Sequence, residues 1–342
     1  MRNLLRFVCA AAVLSLMTGA GWAAGHADRK KIKTAFLDAK SAGIDFEVQG
    51  EYEVTVGDDP FGIQVIALGD GRFQAVAYEG GLPGAGWDGN TRYFLDGKLA
   101  EGIAQFESGE GRFRIEHGEV TGVAYADSGN LDIKGKKVLR KSPTLGAKPP
   151  QNAVVLFDGT HVDAWQNGRI VEGNLLDVGT RTKQSFAAFH LHLEFRTPFM
   201  PYARGQARGN SGVYLLDQYE IQVLDSFGLE GESNECGGIY KVARPLVNMC
   251  LPPLSWQTYD IDFTPARFNE QGKKVANAVV TVRHNGVVIH ENLELPHPTP
   301  GGGRADEKPG PLFLQNHGDP VRYRNIWLVP KELQSKQKRP AN

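Results

Sequence analysis

Short runs in which apolar and polar residues alternate recur along the chain between about residues 45 and 330. Residues 63–68 and 73–78 form two such runs around a Gly-Asp-Gly turn, and Asn285-Gly286 separates two more. Such alternation is typical of half-buried strands, and an Asn-Gly pair between two of them is typical of a β-hairpin. The 41 glycines and 19 prolines supply the turns that many short strands need. We therefore expect an all-β fold.

The length of 342 residues favours two domains, since an ordinary domain holds about 100–200 residues. The prolines of Ser142-Pro143 and Pro149-Pro150 indicate an extended linker between two β patterns. The second pattern has many candidate strands and no convincing helix, which indicates two packed sheets. The predicted order is a lead-in segment of helical composition at 25–44, a small β domain at 45–140, a Pro-rich linker at 141–152, a sandwich at 153–330 and a disordered tail at 331–342.

The first 24 residues have the composition of a secretory signal peptide. Arg2 and Arg6 precede an apolar run at 7–20, and small residues at 21–24 offer a cleavage site. The run is shorter than the roughly 20 apolar residues that a membrane-spanning helix needs. We therefore expect a periplasmic or secreted protein with no membrane contact after cleavage. An uncleaved anchor is the alternative.

The charge and the cysteines narrow the function classes further. The formal net charge is −1, and no basic patch indicates a nucleic-acid partner. Two cysteines follow the signal peptide, Cys236 and Cys250. In an oxidising compartment they can form a disulfide, and two buried free thiols are the alternative. No Cys-x-x-Cys or clustered histidine pattern accompanies them, so we predict no metal ligands.

Three candidate strands carry polar side chains on one face. Side chains alternate along a strand, so Glu220 and Gln222 share a face of the strand at 219–225. The other polar faces belong to the strands at 191–196 and 312–317, which carry His192, Glu194, Arg196, Gln315 and His317. If the three strands are neighbours, their polar faces form a groove that binds sugar hydroxyls. Candidate residues for stacking on sugar rings are Trp256, Tyr214, Tyr240 and Trp165. The alternative is a solvated outer face, with the aromatic residues in the core.

An ordered series of short motifs extends from about residue 153 to residue 330. The series is Phe157-Asp158-Gly159-Thr160, Glu194-Phe195-Arg196, Asn210-Ser211-Gly212-Val213-Tyr214, Tyr219-Glu220-Ile221-Gln222-Val223-Leu224-Asp225, Cys236-Gly237-Gly238-Ile239-Tyr240, Trp256-Gln257-Thr258-Tyr259, His284-Asn285-Gly286, Leu314-Gln315-Asn316-His317-Gly318 and Tyr323-Arg324-Asn325-Ile326-Trp327. In this series the chain resembles the 3-keto-disaccharide hydrolase family, also described as 3-keto-glucoside 1,2-lyase/3-keto-2-hydroxy-glucal hydratase. One departure is Leu215-Leu216, where many members place an arginine.

The resemblance implies a concanavalin A-like jelly-roll sandwich that cleaves 3-keto-glycosides. A ketone at carbon 3 acidifies the hydrogen on carbon 2, so the reaction needs a base, donors for the enolate oxygen and an acid for the leaving group. We assign Glu220 and His317 as base and acid, in either order. The residues expected to bind the substrate are Glu194, Arg196, Asn210, Tyr214, Gln222, Trp256 and Gln315. The cofactor requirement is left open, and a divalent metal that polarises the ketone is compatible with this chemistry.

Two other functions fit the same groove. A non-catalytic carbohydrate-binding protein would use the groove and its aromatic residues without the acid–base pair. A classical glycoside hydrolase would need two carboxylates about 5–9.5 Å apart, which Glu194 and Glu220 would supply. The partner expected in every case is a small-molecule or oligosaccharide substrate.

Overall fold

The computed structural model describes residues 29–303 and 308–332. The predicted signal peptide and residues 333–342 of the predicted tail lie outside these ranges, so both stay predictions. Two helices precede the strands, α1 (Arg29–Ile32) and α2 (Ala39–Val48). The Asp38 carboxylate caps α2 by accepting a 2.9 Å hydrogen bond from the Ser41 amide.

Eight antiparallel strands then close into a barrel in which each strand pairs with the next and β1 pairs with β8. The strands are β1 (Gly50–Val56), β2 (Asp59–Gly69), β3 (Arg72–Glu79), β4 (Arg92–Ala100), β5 (Ile103–Ser108), β6 (Gly111–Glu116), β7 (Glu119–Ala124) and β8 (Leu131–Val138). Alternate side chains fill the interior, where Phe106 and Phe113 stack with ring centroids 4.6 Å apart. At one end Phe46 of α2 meets Phe199 edge-on at 5.3 Å.

The rest of the described chain forms a sandwich. Its strands are β9 (Val154–Phe157), β10 (Trp165–Gln166), β11 (Ile170–Val171), β12 (Leu175–Leu176), β13 (Thr180–Thr182), β14 (Ala188–Arg196), β15 (Ser211–Leu215), β16 (Tyr219–Val223), β17 (Gln257–Thr264), β18 (Arg267–Phe268), β19 (Lys274–Ala276), β20 (Ala278–His284), β21 (Val287–Leu295), β22 (Phe313–Leu314) and β23 (Arg322–Lys331). The last strand includes Lys331, the first residue of the predicted tail.

Two antiparallel sheets make up this sandwich. One has the order β10-β13-β22-β15-β16, and the other has the order β11-β12-β23-β14-β17-β20-β21, with β9 paired to β23. The core lies between them, because Leu193 and Phe195 of β14 and Ile221 and Val223 of β16 are all buried in one apolar cluster. The expected all-β fold, a jelly-roll sandwich preceded by a small β domain, is confirmed.

The segment between β8 and β9 has no regular secondary structure. It lies against the outer face of the eight-stranded sheet of the sandwich, the sheet that contains β14, β17 and β23. Thr144 Oγ1 donates to Asp260 Oδ2 at 2.7 Å, and the Gly146 amide donates to Glu194 Oε1 at 2.6 Å. Ala147 O accepts a hydrogen bond from the Trp327 indole at 3.2 Å. These contacts fix the segment that the prolines predict to be extended.

The barrel and the sandwich share buried contacts. Arg208 pairs with Asp225 at 2.6 Å and also donates to the carbonyl of Ala67 in β2 at 3.2 Å. Ile66 and Tyr78 of the barrel belong to the apolar cluster that lies between the two sheets of the sandwich. The barrel therefore packs on the sandwich through a continuous core.

Cys236 and Cys250 are buried free thiols. The Cys236 sulfur lies 3.3 Å from the Tyr259 hydroxyl, and the Cys250 sulfur lies 3.5 Å from the Leu224 carbonyl oxygen. The disulfide that the sequence allows is therefore not formed, and the alternative of two buried thiols describes the structure.

Within residues 29–303 and 308–332, no helix has the length and apolar character that crossing a membrane requires.

Candidate active site

The site is built on the hairpin of β15 and β16. The turn between the two strands has Leu216 and Asp217 in left-handed conformations, with φ of 54° and 59°. This turn sets the register, so Tyr214 lies directly opposite Glu220. Val213 and Ile221, the next pair along the hairpin, are buried in the core. Because side chains alternate, Tyr214 and Glu220 face outward from the five-stranded sheet.

Gly212 leaves the space that the Glu220 carboxyl occupies. A Cβ atom on Gly212 would lie 2.2 Å from Glu220 Oε1. The Tyr214 hydroxyl donates to the other carboxyl oxygen, Oε2, at 2.8 Å. With its amide nitrogen turned toward Glu220, Gln222 donates to Glu220 Oε1 at 3.3 Å and to Ser211 O at 2.8 Å. The carboxyl group is thus held between a phenol, an amide and a glycine.

The neighbouring strand β22 leads into Gln315 and His317, the polar pair predicted from the segment 312–317. The backbone N–H of Gln315 donates to Gly212 O at 2.9 Å, which continues the pairing of β22 with β15. The Gln315 side chain donates to the Tyr214 hydroxyl at 3.4 Å, and the exposed His317 follows two residues later. Together these strands and two loops enclose a pocket of about 280 Å³, lined by Gln206, Asn210, Tyr214, Glu220, Gln222, Tyr240, Lys241, Pro300, Gly301, Gln315 and His317.

Two loops form the walls of this pocket. The first runs beside the free edge of β16, where Ile239 bridges to Ile221 and the Tyr240 amide donates to Glu220 O at 3.0 Å. Lys241 follows in a left-handed conformation, with φ of 55°. In the second loop, Thr299 Oγ1 accepts a 2.9 Å hydrogen bond from the Glu220 amide. Both loops are therefore anchored on the backbone of Glu220.

Burial changes the acidity of Glu220. Only 2% of the residue is exposed. Removal from water disfavours the charged carboxylate and raises its pKa to about 7, although the hydrogen bond from Tyr214 acts in the opposite direction. Burial also raises the pKa of Tyr214, and the neighbouring Glu220 adds to this effect. At neutral pH Glu220 is therefore poised to accept or release a proton.

Two acceptors of the pocket residues have no hydrogen-bond partner among the described residues, Asn210 Oδ1 and Gln315 Oε1. Asn210 is only 1% exposed, and its backbone and side-chain nitrogens donate to Asp319 and Gln206. A buried acceptor without a partner costs about 1–3 kcal/mol, which a donor from a ligand would recover. Sugar hydroxyls are donors of this kind.

The structure brings six of the predicted site residues together and separates three from them. The six that line the pocket are Asn210, Tyr214, Glu220, Gln222, Gln315 and His317. The prediction that Glu194, Arg196 and Trp256 lie in the same groove is wrong. Glu194 and Arg196 belong to β14, which lies in the eight-stranded sheet rather than the five-stranded one. Because β14 buries Leu193 and Phe195 between the sheets, its polar residues face outward on the opposite side of the sandwich.

Each of the three separated residues has a structural partner. Burial by itself raises the pKa of Glu194, but hydrogen bonds from His192, Asn325, the Gly146 amide and Arg324 outweigh it and lower that pKa to about 2. Arg196 pairs with Glu172 at 2.7 Å. The centroid of the Trp256 ring lies 3.9 Å from the Arg324 guanidinium carbon. A classical hydrolase pair of Glu194 and Glu220 is therefore also wrong, since the two carboxylates lie on opposite faces.

Four residues that line the pocket were not predicted from the sequence. Lys241, Pro300 and Gly301 lie in loops and Gln206 lies in a short 3-10 helix (Gly205–Ala207), where strand alternation gives no signal. Tyr240 was a candidate for stacking and does line the pocket, whereas Trp165 is in the core and donates to Leu156 O. Among the described residues, no group of three or more His, Cys, Asp or Glu side chains is arranged to hold a metal ion.

A family model matches the half of the chain that carries the pocket. The family model of the 3-keto-alpha-glucoside-1,2-lyase-like domain matches residues 152–329, just over half of the sequence. A candidate glycosyl hydrolase from Parabacteroides distasonis ATCC 8503, solved at 2.13 Å, is 33% identical over 53% of this chain and 85% of its own, with a TM-score of 0.49. A second candidate glycosyl hydrolase from the same organism, solved at 1.70 Å, is 16% identical over 53% of this chain and 95% of its own, with a TM-score of 0.38. No curated protein sequence matches the chain. The residues that the family model matches coincide with the sandwich that carries the pocket.

Proposed function

Because the chain belongs to the 3-keto-alpha-glucoside-1,2-lyase-like domain family, we propose that its sandwich cleaves 3-keto-glycosides at the pocket around Glu220. The family supports the coarser statement that the protein is a carbohydrate-active enzyme. The choice of a 3-keto substrate and of an elimination reaction is the proposal. It is supported by the poised acidity of Glu220 beside unpaired acceptors in one polar pocket.

The first step is removal of the proton on carbon 2. Glu220, as the carboxylate, takes this proton, and the electrons of the C2–H bond form an enolate with the carbonyl at carbon 3. A base is most effective when its pKa lies near the working pH, and burial brings the pKa of Glu220 to about 7. Lys241 lines the pocket and supplies N–H donors for the developing negative charge on oxygen.

In the second step the enolate returns its electrons to form a double bond between carbons 1 and 2. The bond from carbon 1 to the glycosidic oxygen breaks, and that oxygen takes a proton from an acid. His317 stands at the pocket and is assigned this role, and Glu220, protonated in the first step, is the alternative donor. Addition of water across the double bond then gives net hydrolysis, with hydroxide at carbon 1 and a proton at carbon 2.

Substrate binding is assigned to the unpaired acceptors. A sugar hydroxyl that donates to Asn210 Oδ1 and another that donates to Gln315 Oε1 would satisfy both atoms. Tyr240 lines the wall beside them and offers an aromatic surface for the sugar ring. The pocket therefore holds the sugar through its hydroxyls, while the carboxyl group of Glu220 meets the carbon 2 hydrogen.

The test is incubation of the purified protein with chemically oxidised 3-keto disaccharides, with and without a chelator, while ultraviolet absorbance follows the enone. We expect Glu220→Gln and His317→Ala each to lose about 10²–10⁴-fold in rate. Glu291→Gln, which changes an exposed carboxylate on β21, serves as the control and should keep wild-type activity. Full activity in both Glu220→Gln and His317→Ala, with the fold intact, would reject the assignment.

The same experiment addresses the non-catalytic alternative. A carbohydrate-binding protein would show saturable binding of the sugar by calorimetry and no formation of enone or free reducing sugar. That combination would replace the proposed reaction with binding at the same pocket.

A further inference from the structure

A line of outward-facing side chains continues from the pocket across the five-stranded sheet. Glu220 lies opposite Tyr214, Tyr214 lies opposite Phe313, and Phe313 lies opposite Arg181. The residues before and after Arg181 and Phe313, among them Thr180 and Leu314, are buried toward the core. Alternation therefore places all four side chains of this row on the face that carries the pocket.

The outer half of the row combines an aromatic ring with an ion pair. The Arg181 guanidinium carbon lies 3.7 Å from the centroid of the Phe313 ring, and the Phe313 and Tyr214 centroids are 5.5 Å apart. Arg181 Nε and Nη2 both lie 3.3 Å from the Asp217 carboxylate. The two side chains are 42% and 38% exposed, so both remain accessible to a ligand.

The row has the length of a substrate that extends beyond one sugar. Neighbouring strands lie about 4.8 Å apart, so three strand steps separate Glu220 from Arg181 by roughly 14 Å. If the keto sugar lies with its carbon 2 at Glu220, the group attached to carbon 1 extends beyond the pocket. The Tyr214–Phe313–Arg181 row provides a continuous surface in one of the directions open to that group.

The chemistry of the row favours a polyol over an apolar group. An aryl or alkyl group placed there would remove the Arg181–Asp217 ion pair from water without replacing the hydrogen bonds that both groups make to water, which is costly for charged groups. A sugar has hydroxyls that can donate to Asp217 and accept from Arg181, and it has a C–H face that can lie on an aromatic ring. In this row the ion pair lies beside the Phe313 ring, one face of which the Arg181 guanidinium covers.

We propose that Arg181 and Phe313 form the subsite for the leaving group, and that they select a second sugar ring over an apolar aglycone. This inference rests on the proposed function, because the keto sugar must occupy the pocket at Glu220. It assigns specificity to residues that lie outside the pocket itself and touch neither carbon 1 nor carbon 2.

The test compares 3-keto disaccharides of both anomers with the matching methyl 3-keto-glucosides. Arg181→Met removes the charge and keeps the apolar stem, and we expect it to lower kcat/KM for the disaccharide about tenfold, as loss of one charged hydrogen bond does. The methyl substrates, which do not reach the subsite, should change less than twofold. Phe313→Leu should also lower kcat/KM for the disaccharide.

Arg283→Met is the matched control. Arg283 pairs with Asp262 at 3.4 Å and its side chain is 41% exposed, but it lies on β20 in the opposite sheet. It should leave both substrates unchanged. A wild-type protein that does not prefer the disaccharide, or an Arg181→Met variant that affects both substrates equally, would overturn the subsite.

Binding separates this proposal from the proposed reaction. Calorimetry with the unoxidised disaccharide and methyl glucoside measures the subsite without turnover, and the Arg181→Met variant should lose the extra affinity for the disaccharide. If no protein turns over any 3-keto substrate but this difference is seen, the reaction is wrong, and Arg181 and Phe313 form a binding subsite for a second sugar ring rather than for a leaving group. Equal affinities in the wild type would overturn the subsite even for an active enzyme.

Discussion

The Tyr214 hydroxyl and the Glu220 carboxyl face each other across the β15–β16 pair, joined by a 2.8 Å hydrogen bond to Oε2. This bond favours the charged carboxylate, whereas burial favours the neutral acid. Tyr214 therefore limits how far burial raises the pKa of the candidate base. The register of one short hairpin sets this balance.

Tyr214→Phe should move the pH dependence of the proposed reaction. Without the hydroxyl the pKa of Glu220 rises further, so the fraction of carboxylate at a given pH falls. We expect the ascending limb of kcat/KM, centred at about 7 in the wild type, to shift to higher pH. Tyr323→Phe is the control, since that hydroxyl bonds Ser211 at 2.8 Å in the core. An unchanged limb in Tyr214→Phe would contradict the coupling.

Glu220→Gln should stabilise the protein at alkaline pH. The folded pKa of about 7 lies above the ordinary value of 4.5, so the stabilisation from this shift is present below pH 4.5 and is lost as pH rises through 7. Glutamine cannot ionise and avoids that loss. Urea unfolding measures the free energy of unfolding of the variant and of the wild type. The variant's advantage over the wild type should be larger at pH 8.5 than at pH 4.5, by up to about 3 kcal/mol. A pH-independent difference would show that Glu220 is not perturbed.

Glu194→Gln should have the opposite pH dependence. The folded pKa of about 2 lies below the ordinary value of 4.5, so the stabilisation is present above pH 4.5 and is lost as pH falls through 2. Loss of the Glu194 charge from its buried hydrogen bonds should lower the free energy of unfolding by about 3 kcal/mol at pH 7 and by less at pH 3. Unfolding measured at the two pH values checks the sign. Enzyme activity of the folded variant should be retained, because Glu194 faces away from the pocket.

Gly212→Ala should displace the candidate base while keeping the fold. The new Cβ would lie 2.2 Å from Glu220 Oε1, and the carboxyl end can move aside because it is the flexible end of the side chain. Misplacing a reacting group by about 1 Å can cost roughly 10²-fold in rate. Gly109→Ala, where a Cβ meets no atom within 4 Å, is the control and should keep full activity. Equal activity in both variants would argue that the carboxyl position is unimportant.

The sequence was sufficient for features that depend on neighbouring residues along one strand. Alternation identified the β pattern, and it placed Glu220 with Gln222 on one face and Gln315 with His317 on one face. The structure has these four residues at one pocket. For Glu220 and Gln222 the inference works because the side-chain direction in a strand is fixed by local geometry. Gln315 and His317 follow the end of β22 at Leu314, so strand geometry alone does not explain their positions.

Side-chain alternation also gave the correct outward face of β14, but it did not show that this face lies away from the pocket. Glu194 and Arg196 do face outward, yet their strand pairs with β17 and β23 instead of β15 or β22. Alternation cannot tell which of two sheets a strand joins, because both sheets bury one face against the same core. Lys241 reaches the pocket from a loop and Gln206 from a short 3-10 helix, and the positions of both depend on contacts distant in sequence.

The sequence by itself determined that the chain is all-β, and it determined which residues of a strand such as β16 share a face. Only the tertiary structure decided that Glu220, His317 and the unpaired acceptors share one pocket, and that Glu194 lies on the other side. The physical reason is that side-chain alternation is a local property of the backbone, whereas strand pairing and the burial that raises the pKa of Glu220 arise from segments far apart in the chain.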